Sequence, residues 1–336
     1  MSKRLDLKYW VGIGISLFFM VLLFRKVEFD RLWQALTEVN YAYVLAAVAC
    51  TFLTYFLRAV RWHFLLIPEK PIPLSSLYPA TIIGYMANNI LPARLGEFVR
   101  AYVLAQREGL QTPSVFASLV IDRLFDGCTV LVLLLITIFT LKLPHGMQQA
   151  ETMLRSGGVI TAIIYLGALV FLILLKRQTM RTLQWTGVLL KPFPQRVSDK
   201  IIPLLGSFIA GIRLSSRSGH VAAILVTSAC IWLFCVIPVD LVLRGFGIVL
   251  PFTAAMFILV LLVFAVMVPA APGFIGTYHV ACYTGLSAFG IDGTQAVSIA
   301  LVVHGIAFFP VILAGIYHLW SNKLSFNSIR KAGDAT

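Results

Sequence analysis

The sequence predicts an all-α integral membrane protein with about six transmembrane helices and two opposed re-entrant helical hairpins that together form an inverted repeat. Three observations lead there. Of the 336 residues 59% are hydrophobic and only 12% charged, a balance foreign to soluble globular domains. Six apolar stretches, at about 9–24, 41–57, 114–141, 157–175, 219–243 and 294–318, have roughly the length a bilayer requires. Two further apolar regions, about 77–108 and 253–290, are each broken near the middle, at Pro92 to Gly96 and at Pro269 to Gly276. Each half is too short to cross alone, so each region is expected to fold back on itself. The breaks are also related: Pro92, Gly96, Ala101 and Ser118 recur without a gap as Pro272, Gly276, Ala281 and Ser298.

The first apolar run ends in Leu22-Leu23-Phe24-Arg25-Lys26 without a small-x-small cleavage site, and is expected to stay as an anchor. Phe29, Leu32, Trp33, Leu36 and Val39 follow at helical spacing, with Asp30, Arg31, Gln34 and Glu38 between them, as in a short amphipathic interfacial helix. Between the fourth and fifth spans, Ile201, Ile202, Leu204, Leu205, Phe208, Ile209 and Ile212 form a second apolar face, with Ser198 as its expected N-cap. Lys176, Arg177, Arg181, Lys191, Arg196 and Lys200 accompany that face, and either anionic headgroups or topology control accounts for them. Cys50, Cys128, Cys230, Cys235 and Cys282 all fall in predicted membrane segments and read as small apolar packing residues.

A net charge of +13 would suggest nucleic acid in a soluble chain; here its distribution sets orientation and no nucleic-acid partner is expected. With both termini cytoplasmic and each broken region returning to its side of entry, 20 of the 27 Lys and Arg residues lie on the cytoplasmic side and 6 on the other. The unit at about 41–141 then enters its hairpin from the cytoplasm, and the unit at about 219–318 enters from the opposite side. Opposed units with discontinuous helices are a recurring transporter architecture. The basic loop at about 176–218 joins them within a single membrane domain spanning 1–336.

Ionisable groups at membrane depth are expensive and mark function by default. The first break, Asn88-Asn89-Ile90-Leu91-Pro92-Ala93-Arg94-Leu95-Gly96-Glu97, places charge where the helix stops and a second half-helix starts near Arg94. The free N–H groups of that half-helix favour an anion, and Arg94 and Arg100 add forked donors suited to phosphate. The competing reading is that Arg94 and Arg100 snorkel to the interface while Glu97 pairs with one of them. Asp122 and Asp126 lie one turn apart beside Arg123, and either a structural ion-pair network or a proton-coupled site fits them. Arg58, Arg61 and Trp62 stand where a basic and aromatic belt is expected. Asp240 and Arg244 have the spacing of a helical ion pair.

The second break leads to His279, with His304 on the last span; a hydrogen-bonded packing role and a proton role both fit. No HExxH, Cys-x-x-Cys, GxSxG or P-loop pattern occurs, so no metal, cofactor or nucleotide is expected and the protein reads as a non-enzyme. Asp126-Gly127 matches only the start of the CDP-alcohol phosphotransferase signature.

Arg58 with Arg61-Trp62, Pro92-x-Arg94-x-Gly96-Glu97-x-x-Arg100, Asp122-Arg123-x-x-Asp126 and Pro272-Gly273-x-x-Gly276 together resemble the flippase-like membrane family that includes the transmembrane region of lysylphosphatidylglycerol synthases and their stand-alone relatives. The resemblance covers nearly the whole chain. Two positions depart from it, Asp122 and His279, where the family commonly has Glu. The resemblance implies a multi-pass protein of the bacterial inner membrane that moves lipid between leaflets, without the soluble synthase domain. Arg94, Gly96, Arg100 and Gly276 are the expected phosphate-binding residues; Glu97, Asp122, Arg123, Asp126 and His279 are expected to balance charge or carry a coupling proton. The expected partners are lipids with phosphate headgroups. A soluble or membrane transferase is a further expected partner if the protein instead presents a lipid to an enzyme.

Overall fold

A computed structural model describes residues 29–91, 95–141, 148–213, 215, 217–267 and 272–322. The expected anchor at 9–24, Pro92, Arg94 and Pro269 lie outside the described residues. Every regular element among the described residues is helical. They are α1 (Phe29–Glu38), α2 (Tyr41–Leu66), α3 (Leu74–Ile90), α4 (Gly96–Glu108), α5 (Thr112–Thr140), α6 (Gln148–Arg177), α7 (Thr179–Leu189), α8 (Gln195–Gly211), α9 (Ser218–Gly245), α10 (Phe252–Met267), a 3₁₀ turn (Pro272–Phe274), α11 (Thr277–Ser287) and α12 (Gly293–Ser321).

Among the described residues, Tyr41–Leu66, Ser156–Arg177, Ser218–Gly245 and Gly293–Ser321 are long and apolar enough to cross a membrane. Helix α5 is as long as α12, at 29 residues, and carries Asp122, Arg123 and Asp126 in its first half. Local signals fix the ends. The Asn40 side chain accepts the Ala42 N–H at the start of α2, and Asp292 accepts from Thr294 at the start of α12. Gly109, at φ +68, closes α4 in the left-handed conformation that terminates helices.

Both broken regions fold back as antiparallel helix pairs. In the first, Asn88 Oδ1 accepts the Gly96 N–H at 2.8 Å, and Lys70 pairs with Glu108 at 2.9 Å at the open end. Close approach requires glycine: a Cβ on Gly96 would lie 2.1 Å from the Gly84 carbonyl oxygen, and one on Gly84 would lie 2.6 Å from the Arg100 Cβ. In the second, Gly285 packs on Ile258 and Leu261, and the Phe257 and Phe289 rings meet at 5.8 Å.

Helices α2 and α9 run antiparallel over most of their length. Asn40 donates to the Gly245 carbonyl at one end, Thr54 Oγ1 bonds the Phe234 carbonyl at 3.2 Å in the middle, and Arg61 reaches Ser228 near the other end. The central contact joins residues 180 apart, the same offset at which the two breaks match. Such a crossing is what two oppositely oriented units need. The buried cores follow the same division. One is built mainly from α2 to α5 with Ile224 and Leu319 lent by α9 and α12, and the other mainly from α9 to α12 with Ala47 and Leu134 lent by α2 and α5.

The connecting segment differs from expectation in one respect. Helix α8 begins at Gln195, directly after Pro194, so Ser198 lies inside the helix and is not its N-cap. Pro194 has extended backbone and no N–H, which suits the residue before a first turn. The apolar face of α8 divides: Ile209 is buried and Phe208 approaches Phe116 of α5, while Ile201 and Leu204 are exposed.

Candidate functional site

Arg58 and Arg61 sit three apart on α2, and Asp122 and Asp126 four apart on α5, so each pair presents one face to the other. Arg61 Nε bonds Asp122 Oδ1 at 2.7 Å and its Nη2 bonds Asp126 Oδ1 at 2.9 Å. Arg58 Nη1 meets Asp126 Oδ2 at 2.8 Å. Arg100, from α4, contributes Nη1 to Asp122 Oδ2 at 3.2 Å. Arg123 binds both aspartates, at 3.2 and 3.0 Å, and reaches Glu97 at 3.5 Å. Ser228 and Trp232 of α9 complete the shell, the indole N–H donating to Asp126 Oδ1 at 3.1 Å.

The cluster is almost dry. Arg61 and Asp122 are fully buried, Arg100 is 1% exposed, and Arg58 and Asp126 are nearly as deep. Burying an ion is tolerated only when it is paired and its remaining hydrogen-bonding capacity is satisfied. Aromatic faces supply part of that: Arg100 lies 4.0 Å from the Trp62 ring centre, and Arg58 lies 5.4 Å from Tyr85 and 5.9 Å from Trp232. Four guanidiniums face three carboxylates, so the described cluster carries one positive charge in excess. Arg100 Nε and Nη2, Arg123 Nε and Glu97 Oε2 are buried without a hydrogen-bond partner among the described residues.

A cavity of about 450 Å³ opens beside this cluster. Its charged end is formed by Arg58, Glu97, Arg123 and Asp126, with Asn88 and Asn89 from the first break. Its far wall is apolar, from Leu259, Leu262, Val263, Phe264 and Met267 of α10 to Phe308 of α12. Tyr165 of α6 covers the side and lies directly over Gly127, where a Cβ would fall 1.7 Å from the ring. Both broken helix pairs therefore line one chamber.

The expected site residues separate into groups. Glu97, Arg123 and Asp126 line the cavity, and Asp122 braces them from behind. Arg100 is held by Asp122 and Trp62 and does not line the cavity. Arg94 lies outside the described residues. Gly96 donates its N–H to Asn88, so the first orphan donor of α4 is already occupied. Gly276, at φ +94, precedes α11 and donates to His279 Nδ1 at 3.3 Å. His279 is buried against His304, and His304 reaches the cavity wall.

Arg58 and Arg61, expected in an interfacial belt, are interior members of the network instead. Their three-residue spacing, complementary to the four-residue spacing of the aspartates, was the available signal. Tyr85, Trp232 and Ser228 carried no such signal, because nothing in an apolar run marks which face meets the charge. Among the described residues no three His, Cys, Asp or Glu gather as a metal site would need.

Residues 9–315 match the family model described as the lysylphosphatidylglycerol synthase TM region. The chain is 25% identical to a UPF0104 membrane protein of Pyrococcus horikoshii over 94% of its own length and 97% of that protein's. It is 24% identical to a UPF0104 membrane protein of Methanothermobacter thermautotrophicus, over 91% of this chain and 92% of the other. It is also 25% identical to the glycosyltransferase AglD of Haloferax volcanii, over 94% of this chain but 55% of that protein. No solved structure matches the chain. With a match spanning nearly its whole length, the chain belongs to the family of the lysylphosphatidylglycerol synthase transmembrane region.

Proposed function

We propose that the protein is a lipid translocase that receives an anionic headgroup at the charged end of the cavity and a hydrocarbon chain along its apolar wall. The cargo is a phospholipid or a polyprenyl-phosphate-linked lipid, and the membrane is the plasma membrane, with both termini cytoplasmic. The observation that carries this reading is the joining, in one chamber of about 450 Å³, of a cluster with one excess positive charge to a wall of α10 side chains. A cation partly withdrawn from water attracts an anion more strongly than a fully hydrated one. Arg123, bridging both aspartates at the cavity edge, is assigned the phosphate contact together with Arg58 and, from the break itself, Arg94. Arg100, Arg61 and Asp122 position them. The two units act as an inverted repeat, with the hairpins re-entering from opposite faces. The chain's own role is binding and movement, without catalysis.

A second reading has its own support. AglD is named a glycosyltransferase and this chain spans about half its length, so a membrane region of this family is found within a transferase. There the same cavity would hold a lipid for a transferase partner and move nothing. Transbilayer movement of fluorescent phosphatidylglycerol and of a polyprenyl phosphate in proteoliposomes separates the two. Movement by the wild type that falls at least tenfold in Arg123→Ala supports the translocase. Binding without movement, equally dependent on Arg123, supports presentation to a partner.

A further inference from the structure

Away from the arginines, the second break holds a pair of titratable rings with a defined set of partners. His304 Nε2 lies 2.8 Å from the Gly273 carbonyl, His304 Nδ1 lies 3.2 Å from His279 Nε2, and His279 Nδ1 lies 3.3 Å from the Gly276 N–H. The partners assign the protons. A carbonyl only accepts, so His304 Nε2 carries hydrogen; a backbone N–H only donates, so His279 Nδ1 is bare. The middle contact is then satisfied by His279 Nε2–H donating to bare His304 Nδ1. Both rings are neutral in this arrangement and all four ring nitrogens are used.

The chain of bonds starts and ends on the break itself. Gly273, Phe274 and Gly276 all have positive φ, at +76, +56 and +94, and Phe274 pays a steric penalty there that side chains normally avoid. The two rings thus clasp a strained turn between α10 and α11. An added proton has only two places to go. On His304 Nδ1 it faces the His279 Nε2–H, and on His279 Nδ1 it faces the Gly276 N–H; either position removes one link.

We propose that His279 and His304 form a single proton-binding site that clasps the second break while neutral, opens on uptake of one proton, and takes that proton up together with the anion of the adjoining cavity. The inference rests on the reading of that cavity as a headgroup site. His304 lines the same chamber as Arg58, Glu97, Arg123 and Asp126, the charged groups that face it. Tyr278 of α11 stacks on the His304 ring at 4.8 Å, and Tyr55, Tyr85 and Tyr165 face the chamber from α2, α3 and α6. The residues of α10 that line the chamber, Leu259 to Met267, are all apolar. An anion in the chamber stabilises imidazolium, and by reciprocity the proton tightens the anion.

The full chain in nanodiscs, labelled with ¹⁵N-histidine, tests the site without any ligand. Two resonance sets, identified by their loss in His279→Gln and in His304→Gln, are expected to report the Nε2–H tautomer and to change together in one transition on acidification. An Nδ1–H tautomer for either ring, or two independent transitions, overturns the proton site. Calorimetric titration with dioctanoyl phosphatidylglycerol tests the coupling: affinity is expected to rise about tenfold across the same transition. That rise is expected to vanish in His304→Gln and His279→Gln, with binding above the transition retained in His279→Gln, whose ring does not line the cavity. A flat wild-type profile, or an unchanged rise in both variants, overturns the coupling. Failure of the probe to bind the wild type at any pH overturns the headgroup reading and the coupling with it, while the spectra still decide the proton site.

Discussion

Asp126 is gripped by three guanidiniums and one indole N–H, which makes it the most heavily bonded carboxylate in the described cluster. Removing it would leave Arg58 buried without a counter-charge and Arg61 with Asp122 alone. Asp126→Ala is expected to destabilise the protein by about 3–5 kcal/mol, as breaking a buried pair does elsewhere. Thermal unfolding in detergent checks this, with Arg123→Ala as the comparison expected to stay close to wild type, since Arg123 is about one-third exposed. That contrast separates a residue that holds the site together from one of those assigned to touch cargo. His279 illustrates a different lesson at the same scale. It is the third residue of α11, where its ring accepts the Gly276 N–H as the Glu of a capping box would. Histidine at this position thus supplies the hydrogen-bond acceptor that a capping-box Glu would. The sequence showed a histidine after a Pro-Gly break, but not its second partner, because His304 lies 25 residues further on.

At the scale of elements, the two broken regions were legible because Pro and Gly interrupt runs too apolar to be loops. Their antiparallel closure was legible too, since neither half could cross a bilayer alone. What could not be read was the depth of packing, which depends on the carbonyl of Gly84 lying against Gly96. Gly96→Ala is therefore expected to cost about 1–3 kcal/mol by overpacking, more than Gly109→Ala costs in contacts, because Gly109 has open space around its Cα. Loss of the Asn88 bond to Gly96 would accompany that shift, and a lower unfolding temperature together with increased protease sensitivity near 91–96 would register it. The start of α8 was misplaced for a simpler reason: Ser198 has the right chemistry for a cap, but Pro194 already ends the extended segment and opens the helix four residues earlier than Ser198 would.

For the whole molecule, the antiparallel crossing of α2 and α9 and the reciprocal lending of core residues fit a two-fold relation between the halves. A topology test follows. Single cysteines at Pro71 and Gln106, flanking the first helix pair, are expected to react with an impermeant maleimide from one face of sealed vesicles. Val249→Cys and Ser287→Cys, flanking the second, are expected to react from the other. Labelling of all four from one face would remove the opposed arrangement. The sequence signals the expected repeat through Pro and Gly at a fixed offset, while most of its charge at the breaks lies in the first unit. Charge was concentrated in the first half, and the aromatic rings that help solvate it were hidden among ordinary apolar positions.

The dryness of the cluster has a consequence for ionic strength. Exposed ion pairs weaken as salt shortens the screening length from about 10 Å at 0.1 M to about 3 Å at 1 M. Mobile ions have little entry to a site whose Asp122 and Arg61 are fully covered and whose Arg100 is stacked on Trp62. The pair at the open end of the first hairpin, Lys70 with Glu108, has its lysine 44% exposed and lies within reach of the electrolyte. Added salt therefore loosens the rim and leaves the interior charges as they were. For the proposed lipid cargo, drawn from the bilayer and not from bulk water, the attraction would be set by the protein's interior and hardly by the medium outside.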